Sequence, residues 1–187
     1  MSDHRQRQRT YGRAFAHQGR WMASLAIALC DSLTAYLTLQ ARMGMGPAYS
    51  EYLLYDPIVR VARYRGLVIR NEVGLPKIKP GRGDLERIDF AFQSSKRSRA
   101  TLFVEIKYAP RVLTRIDVTT DVLKLQRALS DAPPRSRALV LIAGRQRRKG
   151  DGVLPFSTRP MLQSMYGTTY LAGATTFGAT ALSVSRG

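Results

Sequence analysis

Residues 137–143, RALVLIA, place the first firm constraint on the fold, because an unbroken apolar run of this length has the composition of a strand buried inside a sheet. A buried strand needs neighbours on both edges. Three strand-like segments precede it: Leu67 to Leu75, Glu86 to Phe92 and Thr101 to Ala109. A polar, basic connection joins the last two and suits a long hairpin. Between Ala109 and RALVLIA, the spacing of Val122, Leu125 and Leu129 predicts a helix over Val118 to Leu129, stopped by Asp131, Pro133 and Pro134.

Upstream of the strands, Ser50 to Tyr64 reads as a helical region with Leu53, Leu54, Ile58, Val61 and Ala62 near one face. Asp56 before Pro57 is a good N-cap and first-turn pair, so a regular helix starting at Pro57 would leave Glu51 on a preceding turn. Gly66 is its expected stop. Trp21 to Gln40 is rich in Ala and Leu and reads as a buried helix ending at Gly44, Gly46 and Pro47. Asp31 and the Ser and Thr residues interrupt that run short of a membrane-spanning length, so no membrane partner is expected. From Met161 onward the chain is rich in Thr, Ala and Gly, with Tyr166, Tyr170 and Phe177; an edge strand and a contact in a homodimer both fit it.

Thirty Lys and Arg against thirteen Asp and Glu give a net charge of +17, a field that attracts polyanions. The charge is unevenly spread. Gln93 to Gly150 carries fourteen basic and four acidic residues, 14 − 4 = +10, whereas Glu51 to Phe92 carries eight and six, 8 − 6 = +2. Residues 1–20 hold five Arg and one Asp, a composition shared by flexible nucleic-acid-binding arms and organellar transit peptides, of which the arm is the expectation here. The expected organisation is therefore a basic arm and helix over 1–45, then a domain over 46–187 with a Thr, Ala and Gly-rich tail. Nucleic acid, DNA before RNA, is the expected partner.

A single cysteine, Cys30, excludes a disulfide framework or thiolate cluster and suits a reducing cytoplasm. The two histidines, His4 and His17, lie near the N-terminus, which excludes most histidine-dependent chemistry. Carboxylate and lysine chemistry remains. Side chains alternate along a strand, so in TLFVEIKYA Glu105 and Lys107 share one face while Val104 and Ile106 take the other. Two apolar neighbours on one face predict a cleft or solvent on the opposite one. In RIDFAF the same alternation sets Asp89 apart from Ile88 and Phe90.

Across an antiparallel hairpin Asp89 can meet Glu105, since opposed Cβ atoms lie about 5 Å apart. Two carboxylates that close repel unless a cation lies between them, and hard oxygen donors without His or Cys favour Mg2+ or Mn2+. Lys107, two residues along, is placed to orient a water or neutralise charge at a phosphate. The plainer reading is two solvated acids and a surface Glu105–Lys107 pair of little energetic weight.

The order of an acidic helix region, a strand, a strand with Asp89, a strand with Glu105-x-Lys107, a helix and a buried strand resembles the PD-(D/E)XK nuclease superfamily over roughly residues 50 to 145. The resemblance implies an α/β, restriction-endonuclease-like core in which helices flank a central mixed β-sheet bearing the catalytic hairpin. It implies a Mg2+- or Mn2+-dependent phosphodiester hydrolase, with a non-catalytic nucleic-acid-binding or accessory module on the same fold as the alternative.

The metal acids implied are Asp89 in RIDFAF and Glu105 in VEIK, with Lys107 beside them. Ile88 stands where the Pro of the family name would fall. Glu51 in SEYLLYDP matches the acid that many members carry on the first helix, and Glu72 is its rival. Lys124 and Gln126 in DVLKLQRAL match supporting polar positions on the crossover helix. Arg111, Arg115, Arg145, Arg147, Arg148 and Lys149 are the expected phosphate contacts, and Arg135 and Arg137 also bracket the last core strand. Tyr55, Tyr64 and Tyr108 are expected to be packing residues.

Overall fold

The computed structural model of the protein describes residues 3–45, 50–75, 86–95, 100–109, 115–145, 166–172 and 177–184. The chain opens on helix α1, Asp3–Arg42. Where the basic composition predicts an arm before a helix at Trp21, one continuous helix of 40 residues runs through both. Arg, Gln and Ala are good helix formers and no proline intervenes, so the charge of the first twenty residues does not interrupt the helix. Gly44, at φ +78°, ends it, and the Met45 N–H turns back to the Gln40 carbonyl at 3.1 Å.

A short 3-10 turn over Glu51–Leu54 leads into helix α2, Tyr55–Tyr64. Glu51 thus sits on a tighter turn before the regular helix, which begins two residues ahead of Pro57. Three strands follow as an antiparallel meander: β1 over Val68–Gly74, β2 over Arg87–Gln93 and β3 over Leu102–Ala109. Helix α3, Arg115–Asp131, carries the chain to β4, Arg137–Arg145, which lies parallel to β3. Parallel neighbours require such a crossover, and a helix supplies it by covering one face of the sheet. The last strands are β5, Tyr166–Ala172, and β6, Phe177–Val184.

The result is an α/β fold around one six-stranded mixed sheet of order β1-β2-β3-β4-β6-β5. RALVLIA lies at its centre, between β3 and β6, with Leu139 to Ala143 fully buried. The Thr- and Ala-rich tail supplies both an edge strand and a strand paired directly to β4. Gly144 lets β4 close against the end of β3, since a Cβ there would run into the Ala109 carbonyl.

Two cores flank the sheet. On one face Leu25, Leu29, Leu33 and Leu37 of α1 and Ile58 and Ala62 of α2 pack on Phe90, Phe92, Val104, Ile106, Leu139 and Leu141. On the other, Val118, Val122, Leu125 and Leu129 of α3 pack on Ala138, Val140, Ile142, Leu182 and Ile88. The face bearing Glu105 and Lys107 is therefore covered by α3, not open as the alternation along β3 predicts. That alternation identifies one packed face but says nothing of a helix arriving later in the chain. By length and composition Ser24–Arg42 would suffice to cross a membrane, contrary to the sequence estimate of its length, although its Leu25, Leu29, Leu33 and Leu37 are spent on the core.

Candidate active site

The β2–β3 ladder pairs Phe92 with Leu102, Ala91 with Phe103 and Phe90 with Val104. One step further along this register Asp89 comes opposite Glu105, and there side chains take over from backbone pairing. The Ile106 N–H donates to Asp89 Oδ2 at 2.7 Å, and the Asp89 N–H donates to Glu105 Oε1 at 3.3 Å. Each carboxylate thus accepts a hydrogen bond from the opposite strand, so the hairpin opens where the two acids converge.

The backbone is bent at the same level on the neighbouring strand. Glu72 in β1 has φ +49°, the left-handed region that a non-glycine residue enters only at a cost of about 1–3 kcal/mol. Its flanking residues Asn71 and Val73 pair with Phe90 and Ile88, which brackets Asp89. The Tyr55 hydroxyl, arriving from α2, lies 2.6 Å from Asp89 Oδ1 and 3.2 Å from Glu72 Oε1. Its ring packs edge-on against Phe90, with centroids 4.6 Å apart. Burial first, and then the Asp89 hydrogen bond, push this phenol above its ordinary range, so it remains a donor that orients Asp89.

Behind the acids runs a chain of alternating charges. Lys107 Nζ lies 3.1 Å from Asp121 Oδ2 and 3.9 Å from Glu51 Oε1, and Glu51 Oε1 also accepts the Tyr108 N–H at 3.2 Å. Lys124 Nζ lies 2.7 Å from Glu105 Oε2 and 3.9 Å from Asp121 Oδ1, and donates to the Arg87 carbonyl at 2.9 Å. Glu105 is only 3% exposed. Burial, and next the Asp89 charge, push its carboxyl up to about 8, even though Lys124 acts in the opposite direction. Burial also raises Asp121, against the two lysines that flank it. Burial works to lower the Lys107 ammonium, but Asp121, Glu51 and Glu105 hold it above its ordinary value.

Asp89, Glu105, Lys107 and Lys124 come together at one place. Glu51 reaches Lys107, and Glu72 reaches Asp89 through the shared Tyr55 hydroxyl, so the two rival acids meet the site through different residues. Gln126 has no contact with these groups; positions two apart on a helix diverge by about 200°, so it does not share the face of Lys124. Asp121 is the site residue that the sequence reading lacks. It falls between Leu125 and Ala128 on the buried arc of α3, and an acid inside an apolar stripe is the signal that marks it. Tyr55, expected only to pack, also holds Asp89, whereas Tyr64, expected to pack, is exposed.

The parallel pairing of β3 and β4 brings the C-terminal ends of both strands, Ala109 and Gly144, to the same end of the sheet. Arg145 therefore stands at the end that holds Lys107, whereas Arg137 and Arg135 are at the far end of β4. Arg137 is occupied there with the Ser136 and Pro134 carbonyls. Arg111, Arg147, Arg148 and Lys149 lie outside the described residues, and Arg115 is placed only as the first residue of α3.

Among the described residues no group of three or more His, Cys, Asp or Glu side chains is arranged to hold a metal ion. The donors nevertheless suit a hard dication in kind. Asp89 and Glu105 offer carboxylate oxygens from adjacent strands. No protein-family model matches the chain, and no curated protein or solved structure matches it significantly.

Proposed function

We propose that the chain is a divalent-metal-dependent nuclease with a restriction-endonuclease-like core, hydrolysing phosphodiester bonds, DNA being the substrate most in keeping with its charge. The observation that carries this reading is the opened hairpin. Asp89 and Glu105 converge across it, each held by a backbone N–H of the opposite strand, with Lys107 on the same strand as Glu105. The path from Glu51 through the meander and the α3 crossover to β4 supports it further, because that is the element order of the superfamily the sequence resembles.

Asp89 and Glu105 would hold Mg2+ or Mn2+, with Glu51 or Glu72 as a further acid. When bound, the cation would polarise a phosphate oxygen and make a water more acidic. The protein's own groups do the rest. Tyr55 fixes the direction of Asp89. Lys107, fully charged and held by Asp121 and Glu51, offers a preorganised positive charge to the scissile phosphate. Arg145 at the end of β4, with Arg111, Arg147, Arg148 and Lys149 that follow β3 and β4 in the sequence, would hold the nucleic-acid backbone.

The test is cleavage of single-stranded, double-stranded and branched DNA and RNA by the purified chain with Mg2+ or Mn2+. Metal-dependent cleavage should disappear in Asp89→Ala and in Glu105→Ala, while binding persists. Binding without cleavage in every metal and substrate would leave a nucleic-acid-binding module. Cleavage that survives the double replacement would sink the assignment.

A further inference from the structure

The two lysines of the site occupy different kinds of place. Lys107 spans two acids behind the hairpin, whereas Lys124 reaches in from α3 to one of the converging carboxylates. Its Nζ is surrounded by oxygens: Glu105 Oε2 at 2.7 Å, the Arg87 carbonyl at 2.9 Å and Asp121 Oδ1 at 3.9 Å. The side chain is only 17% exposed. A carboxylate, a main-chain carbonyl and a second, more distant carboxylate are the donors that a small hard cation also takes.

Resting on the reading of Asp89 and Glu105 as metal acids, we infer that Lys124 is a resident placeholder, whose ammonium occupies on Glu105 the place that a divalent cation takes in the working site. The cation cannot share that oxygen with an ammonium at hydrogen-bonding distance, so its entry requires Lys124 to leave. Asp121 gives the displaced ammonium somewhere to go. It lies three residues before Lys124 on the same helix, is buried, and already stands 3.9 Å from Nζ, so a small rotation of the lysine exchanges one carboxylate for the other. Lys124 is a positioning residue in this account, and it sets how readily the site takes up metal.

The test is Mn2+ binding to the full chain without nucleic acid, followed by electron paramagnetic resonance of free Mn2+ and by calorimetry at one pH. Lys124→Met keeps the length of the stem and removes the charge. It should bind Mn2+ about tenfold more tightly or better, since an opposing charge at contact distance is gone. Lys107→Met removes the same charge from a place the cation does not need and should tighten binding much less. Asp121→Asn, which takes away the alternative seat, should weaken it.

Equal gains in the two lysine variants would reduce the effect to general charge and overturn the inference. So would unchanged or weaker binding in Lys124→Met when the unaltered chain binds Mn2+ and Asp89→Ala does not. Binding that is indifferent to Asp89→Ala, or absent from both the unaltered chain and Lys124→Met, would instead remove the metal reading and this inference with it. Should Lys124→Met fail to fold by circular dichroism, Lys124→Gln carries the same comparison.

Discussion

Replacing Glu105 by Gln should change how the stability of the metal-free protein depends on pH. In the folded chain the Glu105 carboxyl is pushed from the ordinary 4.5 to about 8, first by burial and then by the Asp89 charge. Between those values the folded state keeps a proton that the unfolded state has lost. The contribution is therefore complete below 4.5 and is lost as pH rises through about 8.

One proton across that window corresponds to a slope of at most about 1.4 kcal/mol per pH unit. Between about pH 5 and about pH 8 the metal-free protein should lose on the order of 3 kcal/mol through this group alone. Glu105→Gln has no proton to release there. Urea unfolding in the presence of a chelator, at four or five pH values, measures both profiles; urea is preferred because a salt denaturant screens the charges concerned. The two curves should diverge toward alkaline pH, with the variant the flatter. Parallel curves would refute the reasoning, since Glu105 would then titrate alike folded and unfolded. Mg2+ should flatten the unaltered profile, because it competes with the proton for the same oxygens.

Further outcomes follow from the geometry and from the charge of the chain. On the proposed nuclease reading, Lys107→Ala should retain nucleic-acid binding but cleave about a hundredfold more slowly or worse, measured as single-turnover rates, because a preorganised charge would be lost at the scissile phosphate. Gly144→Ala should destabilise the fold by about 1–3 kcal/mol or more in thermal or urea unfolding, since its methyl would be driven into the Ala109 carbonyl of the adjoining strand. Affinity for duplex DNA should fall by roughly 0.9 log units per log unit of salt for each phosphate contacted. Charge reversal at Arg147 and Arg148 should lower that slope without altering sequence preference.

The strands and the crossover helix were legible because their patterns are local. RALVLIA announces a buried strand by hydrophobicity, and RIDFAF and TLFVEIKYA mark the two strands of the hairpin, although the alternation in RIDFAF breaks at Asp89 and that in TLFVEIKYA does not foretell the helix over Glu105. The first half of α1 was harder to read because arginine and glutamine suit a disordered arm and a helix equally. FGATALSV, which became β6, gave little warning: Ala179, Thr180 and Ala181 are all buried, so the contrast between faces is faint. Asp121 was hidden by its distance from the hairpin, since nothing in α3 says which strand residues it will meet. The lysine pair that shares it emerges only when the crossover brings α3 down over Glu105.

Strand β2 serves two masters. Ile88 belongs to the core beneath α3, whereas Phe90, which a regular strand would place on the same face, belongs to the core beneath α1 and α2. The chain turns over at Asp89, beside the left-handed Glu72, so this carboxylate stands on the seam between two independently packed halves. A cavity cut into either half tilts one flank of the seam and not the other. The proposed activity should thus act as a strain gauge for the whole interior, fading in core variants that still melt cooperatively, long before the protein as a whole gives way.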